Sequence, residues 1–462
     1  MAGRPGIPVE GGIPMDNSAG DRISCADSCG RTTPMRPPDP TLPRLLQVLA
    51  LVTVGLLARP VQAYDYPFDD PFVATVVGTP VEYRAKLDVK VPLKRRSIKV
   101  FEDRETPDLF FYDDEFRYSY ALQKGPAPLI FIIAGTGGSH DGHGVRWLGK
   151  VFYQAGFHYV GLTSPTHSNF IVSASESGVP GHAYQDAADL YRVMGLIRDK
   201  LAKRARITDY YVTGYSLGAF NTAFVCRLDD QRHEFDFKRA LMINPPMRLY
   251  SSISLLDRML ENIPGGEDNF GLFYQNLVDA FAKVYTRSNA LQFNEDFLYQ
   301  AYEVFKPEKE LLAALIGTSF RMSAANMAFT SDVMTNFGYI KPANVRLGKN
   351  TDLGDYNNVA MRLGFTDYFH AYFYPYFHAR DPKVSRANLI EEMSLRTIAD
   401  YLKSATGIYV IHNEDDLILE PGEINFFPEV FGDRATIYPN GGHLGNMQQK
   451  DVVAHMVEVM RP

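Results

Sequence analysis

Two hydrophobic patterns alternate along this chain. Leu129-Ile130-Phe131-Ile132-Ile133 has no polar break, and a strand with no polar face is one covered on both sides, as in a parallel sheet. Tyr159-Val160-Gly161-Leu162, Asp209-Tyr210-Tyr211-Val212-Thr213, Ala240-Leu241-Met242-Ile243, Gly407-Ile408-Tyr409-Val410-Ile411 and Ala435-Thr436-Ile437-Tyr438 read as further buried strands. Between them lie helical segments, an amphipathic one from Ala183 to Lys203 and a compact one from Ala219 to Cys226. The alternation predicts an α/β fold: a mostly parallel central sheet with helices on both faces. Residues 64–126 read instead as short strands and turns. Within them, Ser97 to Phe101 and Phe116 to Leu122 are expected as antiparallel edge strands leading into the sheet.

The stretch 249–400 is too long to connect two neighbouring strands and reads as helical. Phe273, Leu277, Phe281 and Val284 recur at helical spacing; Pro307-Glu308-Lys309-Glu310 opens a second helix with Pro and acid in its first turn, and Ile390 to Leu402 makes a third. Phe365, Tyr368, Phe369, Tyr372, Phe373, Tyr376 and Phe377 form an aromatic stripe at the same period, which Pro375 is expected to kink or end. Such a stripe is either the packing face of a helix or the wall of an apolar pocket. The organisation expected is therefore 64–248 and 401–462 as two parts of one core, with 249–400 inserted between them.

Chemistry enters with Gly214-Tyr215-Ser216-Leu217-Gly218, set between a strand and a helix. A sharp strand-to-helix turn leaves no room for side chains two positions from its apex. Gly214 and Gly218 supply that room and leave Ser216 exposed as a nucleophile. A serine hydroxyl needs a base, usually a His held by a carboxylate. Both types follow late strands, in His412-Asn413-Glu414-Asp415-Asp416-Leu417-Ile418 and in Gly441-Gly442-His443-Leu444-Gly445.

On these motifs, with Ala134-Gly135-Thr136-Gly137-Gly138 upstream, the chain resembles the α/β-hydrolase superfamily, whose triad runs Ser, acid, His. The resemblance implies Ser216 as nucleophile, His443 as base and Asp416 as the acid, with Asp415 the alternative one position away. It implies an oxyanion hole built from the backbone N–H groups of Leu217 and Thr136, with Gly137 as substitute for Thr136. It also implies that 249–400 is a cap over the site. Many relatives carry His-Gly where this chain has Ala134-Gly135, a departure that leaves the backbone donors in place. The loop lacks the Lys-Ser/Thr and the glycine spacing of nucleotide-binding loops, so phosphate binding is not expected.

Possible substrate contacts are His140, Tyr215, His167, Tyr372 and Phe373, with Tyr215 also read as packing that fixes the elbow. His140, Asp141 and His143 crowd one loop, but no second cluster completes a metal shell, and no metal or cofactor is expected. His182 is expected on the surface at the start of its helix.

The N-terminus bears on location. Arg36 and Arg44 precede fourteen uncharged, largely apolar residues from Leu45 to Ala58, and Val61-Gln62-Ala63 follows. This is the form of a secretory signal with cleavage after Ala63, too short for a comfortable membrane span. Translation is expected to start at Met35, and the protein to be exported to the periplasm or medium. Cleavage would remove Cys25 and Cys29 and leave Cys226, expected as a buried core residue with no disulfide to form. The net charge is −7, and residues 1–63 contribute six Lys/Arg against five Asp/Glu, so the remainder is mildly acidic and carries no nucleic-acid signature.

The sequence thus points to an exported serine hydrolase acting on a small-molecule or lipid-like carboxylic ester. A peptidase or amidase, an acyltransferase, and a binding or envelope-assembly protein of the same fold that recognises without turnover are the alternatives.

Overall fold

The computed structural model describes residues 64–277, 279, 302 and 306–461. The leader 1–63, with Met35, Cys25, Cys29 and the expected cleavage site, lies outside the described residues, as do Phe281 and Val284.

Among the described residues eight strands form one sheet: β1 (Lys94–Ile98), β2 (Phe116–Ala121), β3 (Ala127–Ile133), β4 (His158–Leu162), β5 (Ile207–Tyr215), β6 (Arg239–Ile243), β7 (Ile408–Asn413) and β8 (Ala435–Tyr438). Their spatial order is β1-β2-β4-β3-β5-β6-β7-β8. β2 is antiparallel to both β1 and β4, and every other pairing is parallel. The apolar run in β3 is buried on both sides. Leu129, Phe131 and Ile133 join the core under helices Ala183–Leu201 and Leu217–Arg232, while Ile130 and Ile132 join the core under helices His143–Gln154 and Lys450–Val459. Each period-2 set therefore serves a different helical layer, which is why the run needs no polar position. Cys226 is buried in the first of these cores.

The N-terminal segment departs from expectation. β1 and β2 are antiparallel strands at one side of the sheet, with β1 alone at the edge and shifted to Lys94–Ile98 from the expected Ser97 to Phe101, and the segment begins with a helix, Pro71–Val77, that the strand-and-turn reading missed. Asp70 caps it by accepting from the N–H groups of Phe72 and Val73, and Pro71 takes the first position, where no N–H is needed.

Between β6 and β7 the described chain is mainly helical, from Leu249–Arg258 through the 27-residue helix Lys309–Thr335 to Ala399–Ser404. Residues 270–277, with Phe273 and Leu277, are helical. The expected helix from Ile390 to Leu402 is broken. Arg386–Glu392 ends at Met393, Ser394 pairs with Arg248 and caps a short 3-10 turn at Leu395–Ile398, and a new helix starts at Ala399. Ser394 is fully buried, and that bridge ties the segment to the chain leaving β6. The aromatic stripe is one run of helix through Phe365–Asp367, Tyr368–Phe373 and Tyr374–Arg380, and its middle part is a π-helix. Pro375 does not end it: the residue falls in the first turn after the π stretch, where the hydrogen-bond register has already changed, and the helix runs on to Arg380. The described residues from Tyr64 onward form one compact unit, so the helical insertion is packed into the core. No described helix is long and apolar enough to cross a membrane.

Candidate active site

β5 delivers Ser216 at its C-terminal end, and helix Leu217–Arg232 starts at the next residue. Ser216 has φ 55° and ψ −127°, a conformation that L-residues avoid and that here turns the chain within one residue. The two glycines make the bend possible. A Cβ on Gly214 would lie 2.2 Å from the carbonyl oxygen of Gly218, and a Cβ on Gly218 would lie 2.2 Å from that of Ile133. Either contact forbids any larger residue.

The loops after β7 and β8 bring Asp416 and His443 to this point. His443 Nε2 lies 3.0 Å from Ser216 Oγ, and His443 Nδ1 lies 3.0 Å from both carboxylate oxygens of Asp416. A carboxylate only accepts, so Nδ1 carries the proton and Nε2 turns its lone pair to the serine hydroxyl. Asp416 is buried with its remaining capacity filled by Asn244 Nδ2 at 2.8 Å and the Ile418 N–H at 3.1 Å. Burial alone would push its carboxyl up, but the His443 ring and the hydrogen bonds from His443 and Asn244 outweigh it and hold Asp416 below the ordinary carboxylate value. His412 does not compete for that charge. Its Nε2 donates to the Pro245 carbonyl at 2.9 Å, its Nδ1 accepts the Asn413 N–H, and burial keeps the ring neutral.

Asp415 takes a different part: it accepts the N–H groups of Gly441 at 3.2 Å and Gly442 at 2.9 Å. It therefore shapes the loop that carries His443 and does not reach the imidazole. Burial raises its pKa against the pull of these two amides.

The sheet order, the glycine-walled elbow after β5, the acid after β7 and the His after β8 are now all in view. The fold is that of an α/β-hydrolase. No family model and no curated protein matches the chain. Among solved structures it is similar to the Pyrococcus furiosus esterase Pf2001, at 9% identity over 80% of this chain and 92% of that one, with a TM-score of 0.39. It is also similar to a hyperthermophilic esterase from Pyrobaculum calidifontis (15%, 90% and 97%, 0.37) and to the proline iminopeptidase of Mycobacterium smegmatis (15%, 79% and 97%, 0.36). These likenesses are too distant to bear on the site, which has to be read from its own geometry.

Of the three expected oxyanion donors, Thr136 and Leu217 both border the cavity at Ser216, and no described group accepts from either amide. Gly137 is a correction. Its N–H donates to Thr166 Oγ1 at 2.8 Å and is not free to stabilise an oxyanion.

The cavity beside Ser216 has a volume of about 80 Å³ and an apolar lining. Helix Leu249–Arg258 contributes Leu249, Ile253 and Leu256, and the aromatic helix contributes Phe365, Tyr368, Phe369 and Phe373. Thr136, Thr166, Ser216 and Ser252 are among its few polar groups, and no charged side chain of the described residues lines it. Phe365, Phe369 and Phe373 are spaced four apart, a row that drifts by roughly 40° per step on a regular α-helix. The wider turn of the π stretch offsets that drift and keeps all three on the cavity.

Tyr372 is not on the cavity. Its hydroxyl lies 2.5 Å from Thr335 Oγ1 and donates to the Ser331 carbonyl, so it locks the stripe to helix Lys309–Thr335. The stripe thus has both expected roles on two faces. Nor do His140, His167 and Tyr215 line the cavity. His140 is buried behind the loop, and burial pushes its pKa down to about 4, leaving a neutral ring. His167 uses Nδ1 to accept the Asn169 N–H at the start of a short helix. Tyr215 packs against Gly135, Gly138 and Gly144, where any added Cβ would meet its ring or hydroxyl, and so fixes the elbow. His182 is less exposed than expected: its ring lies 5.1 Å from that of Phe377 in a tilted arrangement, and its side chain is 17% exposed. Among the described residues no group of His, Cys, Asp and Glu could hold a metal ion.

Asn244 was not anticipated. Its only sequence sign is a place at the end of a strand before Pro245-Pro246, and its positive φ of 47° aims the amide at Asp416.

Proposed function

We propose that this chain is an exported serine hydrolase that cleaves carboxylic esters through an acyl-enzyme. The observation that carries the chemistry is the continuous chain of contacts from Asp416 through His443 to Ser216 beside two unoccupied amides. In this reading His443 takes the hydroxyl proton as Ser216 Oγ attacks the ester carbonyl. The amides of Thr136 and Leu217 stabilise the tetrahedral oxyanion. His443 then returns the proton to the leaving alkoxide, and water repeats the sequence to release the acid. Residues 249–400 act as the cap that closes the acyl side.

An ester is favoured over a peptide with a free N-terminus by the lining of the cavity. A site that binds a free peptide N-terminus holds its ammonium with a carboxylate, and a buried charge needs such a partner. The described lining offers none, while its aliphatic and aromatic walls suit an alkyl chain. Export after cleavage at Ala63 is supported by the apolar stretch 45–58 and the small residues at Val61 and Ala63.

A panel of p-nitrophenyl esters and peptide anilides tests this reading. The apolar cavity beside Ser216 has room for an acyl chain of limited length. Each buried methylene contributes about 0.8 kcal/mol, or about fourfold in kcat/KM if fully expressed in the transition state. Rates on the esters should climb with chain length up to that limit and then level or fall, with the anilides far slower. Fast anilide cleavage with a flat ester series would replace the ester reading by an amidase.

The two faces of the stripe give a separate prediction. Phe373→Ala should flatten the climb while leaving acetate hydrolysis within about threefold, since only uniform binding of the chain is lost. Tyr372→Phe should leave the profile alone and lower the melting temperature, because the hydroxyl removed leaves buried partners behind at a cost of about 1–2 kcal/mol. The converse pattern would put Tyr372 on the substrate.

A further inference from the structure

Helix Pro71–Val77 and its flanks hold the loop that carries His443. The Tyr64 hydroxyl donates to the Asn440 carbonyl at 2.8 Å and accepts from Asn446 Nδ2, and Thr79 Oγ1 donates to the Gly445 carbonyl at 2.7 Å. Between them, Thr75 Oγ1 donates to the Pro71 carbonyl at 2.6 Å and accepts the His443 backbone N–H at 2.8 Å. The first bond uses the only hydroxyl proton, so a lone pair is left facing His443.

The glycines around His443 fit the same contact. A Cβ on Gly442 would lie 2.3 Å from the Pro71 carbonyl oxygen and 2.5 Å from Thr75 Oγ1, and one on Gly445 would lie 2.1 Å from the Ala74 carbonyl oxygen. Both are glycine because this helix presses its backbone onto the loop. His443 is followed by Leu444 at φ 68°, so the loop holds a shape it would not take unaided.

We propose that Thr75 is a positioning residue for His443: by accepting the backbone N–H of that residue it fixes the point from which the imidazole reaches Ser216 and Asp416. The proposal rests on the reading of these three residues as a catalytic triad. It makes the first segment of the described chain part of the catalytic apparatus, although it contributes no atom to the reaction. An imidazole displaced by a fraction of an ångström loses its line to the hydroxyl, and misplacement of about 1 Å costs on the order of a hundredfold in rate.

The test compares Thr75→Val, which keeps the shape and removes the acceptor, with Thr75→Ser, which keeps the acceptor. The readouts are kcat and KM on p-nitrophenyl butyrate and the NMR resonance of the His443 Nδ1 proton. Thr75→Val should lose about tenfold to a hundredfold in kcat with little change in KM, and its Nδ1 proton should shift or broaden. Thr75→Ser should retain both. If Thr75→Val does not fold, Thr75→Ala removes the acceptor without new bulk. Equal kcat in wild type and Thr75→Val, or equal loss in the Val and Ser variants, would overturn the proposal. A wild-type protein with no esterase turnover would overturn the functional reading instead. The Nδ1 resonance would then still decide whether Thr75 places the ring.

Discussion

Replacing Asp416 by Asn is expected to lower kcat by on the order of 10⁴-fold while Asp415→Asn costs about tenfold or less. The difference follows from what each carboxylate touches. Asp416 accepts the Nδ1 proton of His443, so an amide there favours the wrong tautomer and leaves the developing imidazolium without a counter-charge. Asp415 accepts two backbone N–H groups, and an Asn oxygen can still take at least one. The steady-state rates of both variants, measured beside their melting temperatures, check this. If Asp415→Asn is the crippled variant at unchanged stability, the acid has been assigned one residue too late.

Ser216→Ala is expected to have a larger effect, on the order of 10⁵–10⁶-fold in kcat, because among the described residues no other hydroxyl is held against His443 Nε2. The fold should survive it. Ser216 is buried, its side chain has that one partner, and Ala relieves nothing else in the bend. A residual rate at or above one hundredth of wild type would mean that another group attacks.

The parts of the site built from neighbouring residues were legible in the sequence. Gly214 and Gly218 mark the elbow because the forbidden contacts lie within a few residues or on the adjacent strand. Strand positions were readable for a similar reason: burial on both faces leaves a mark in the run itself. What depends on a distant partner was not legible. The Gly137 amide is taken by Thr166, 29 residues on. The reason for Gly442 and Gly445 lies in a helix some 370 residues earlier, one too short for its Asp70-Pro71 start to stand out. The phase of the aromatic stripe depends on a π turn. Periodicity alone gives no sign of it.

Treatment with a fluorophosphonate, followed by mapping of the adduct by mass spectrometry, asks whether Ser216 is a nucleophile activated by His443. A single phosphonyl group is expected on the peptide bearing Ser216, formed at a rate that falls sharply in His443→Ala and absent from Ser216→Ala. Labelling of Ser216→Ala at the wild-type rate would contradict that assignment.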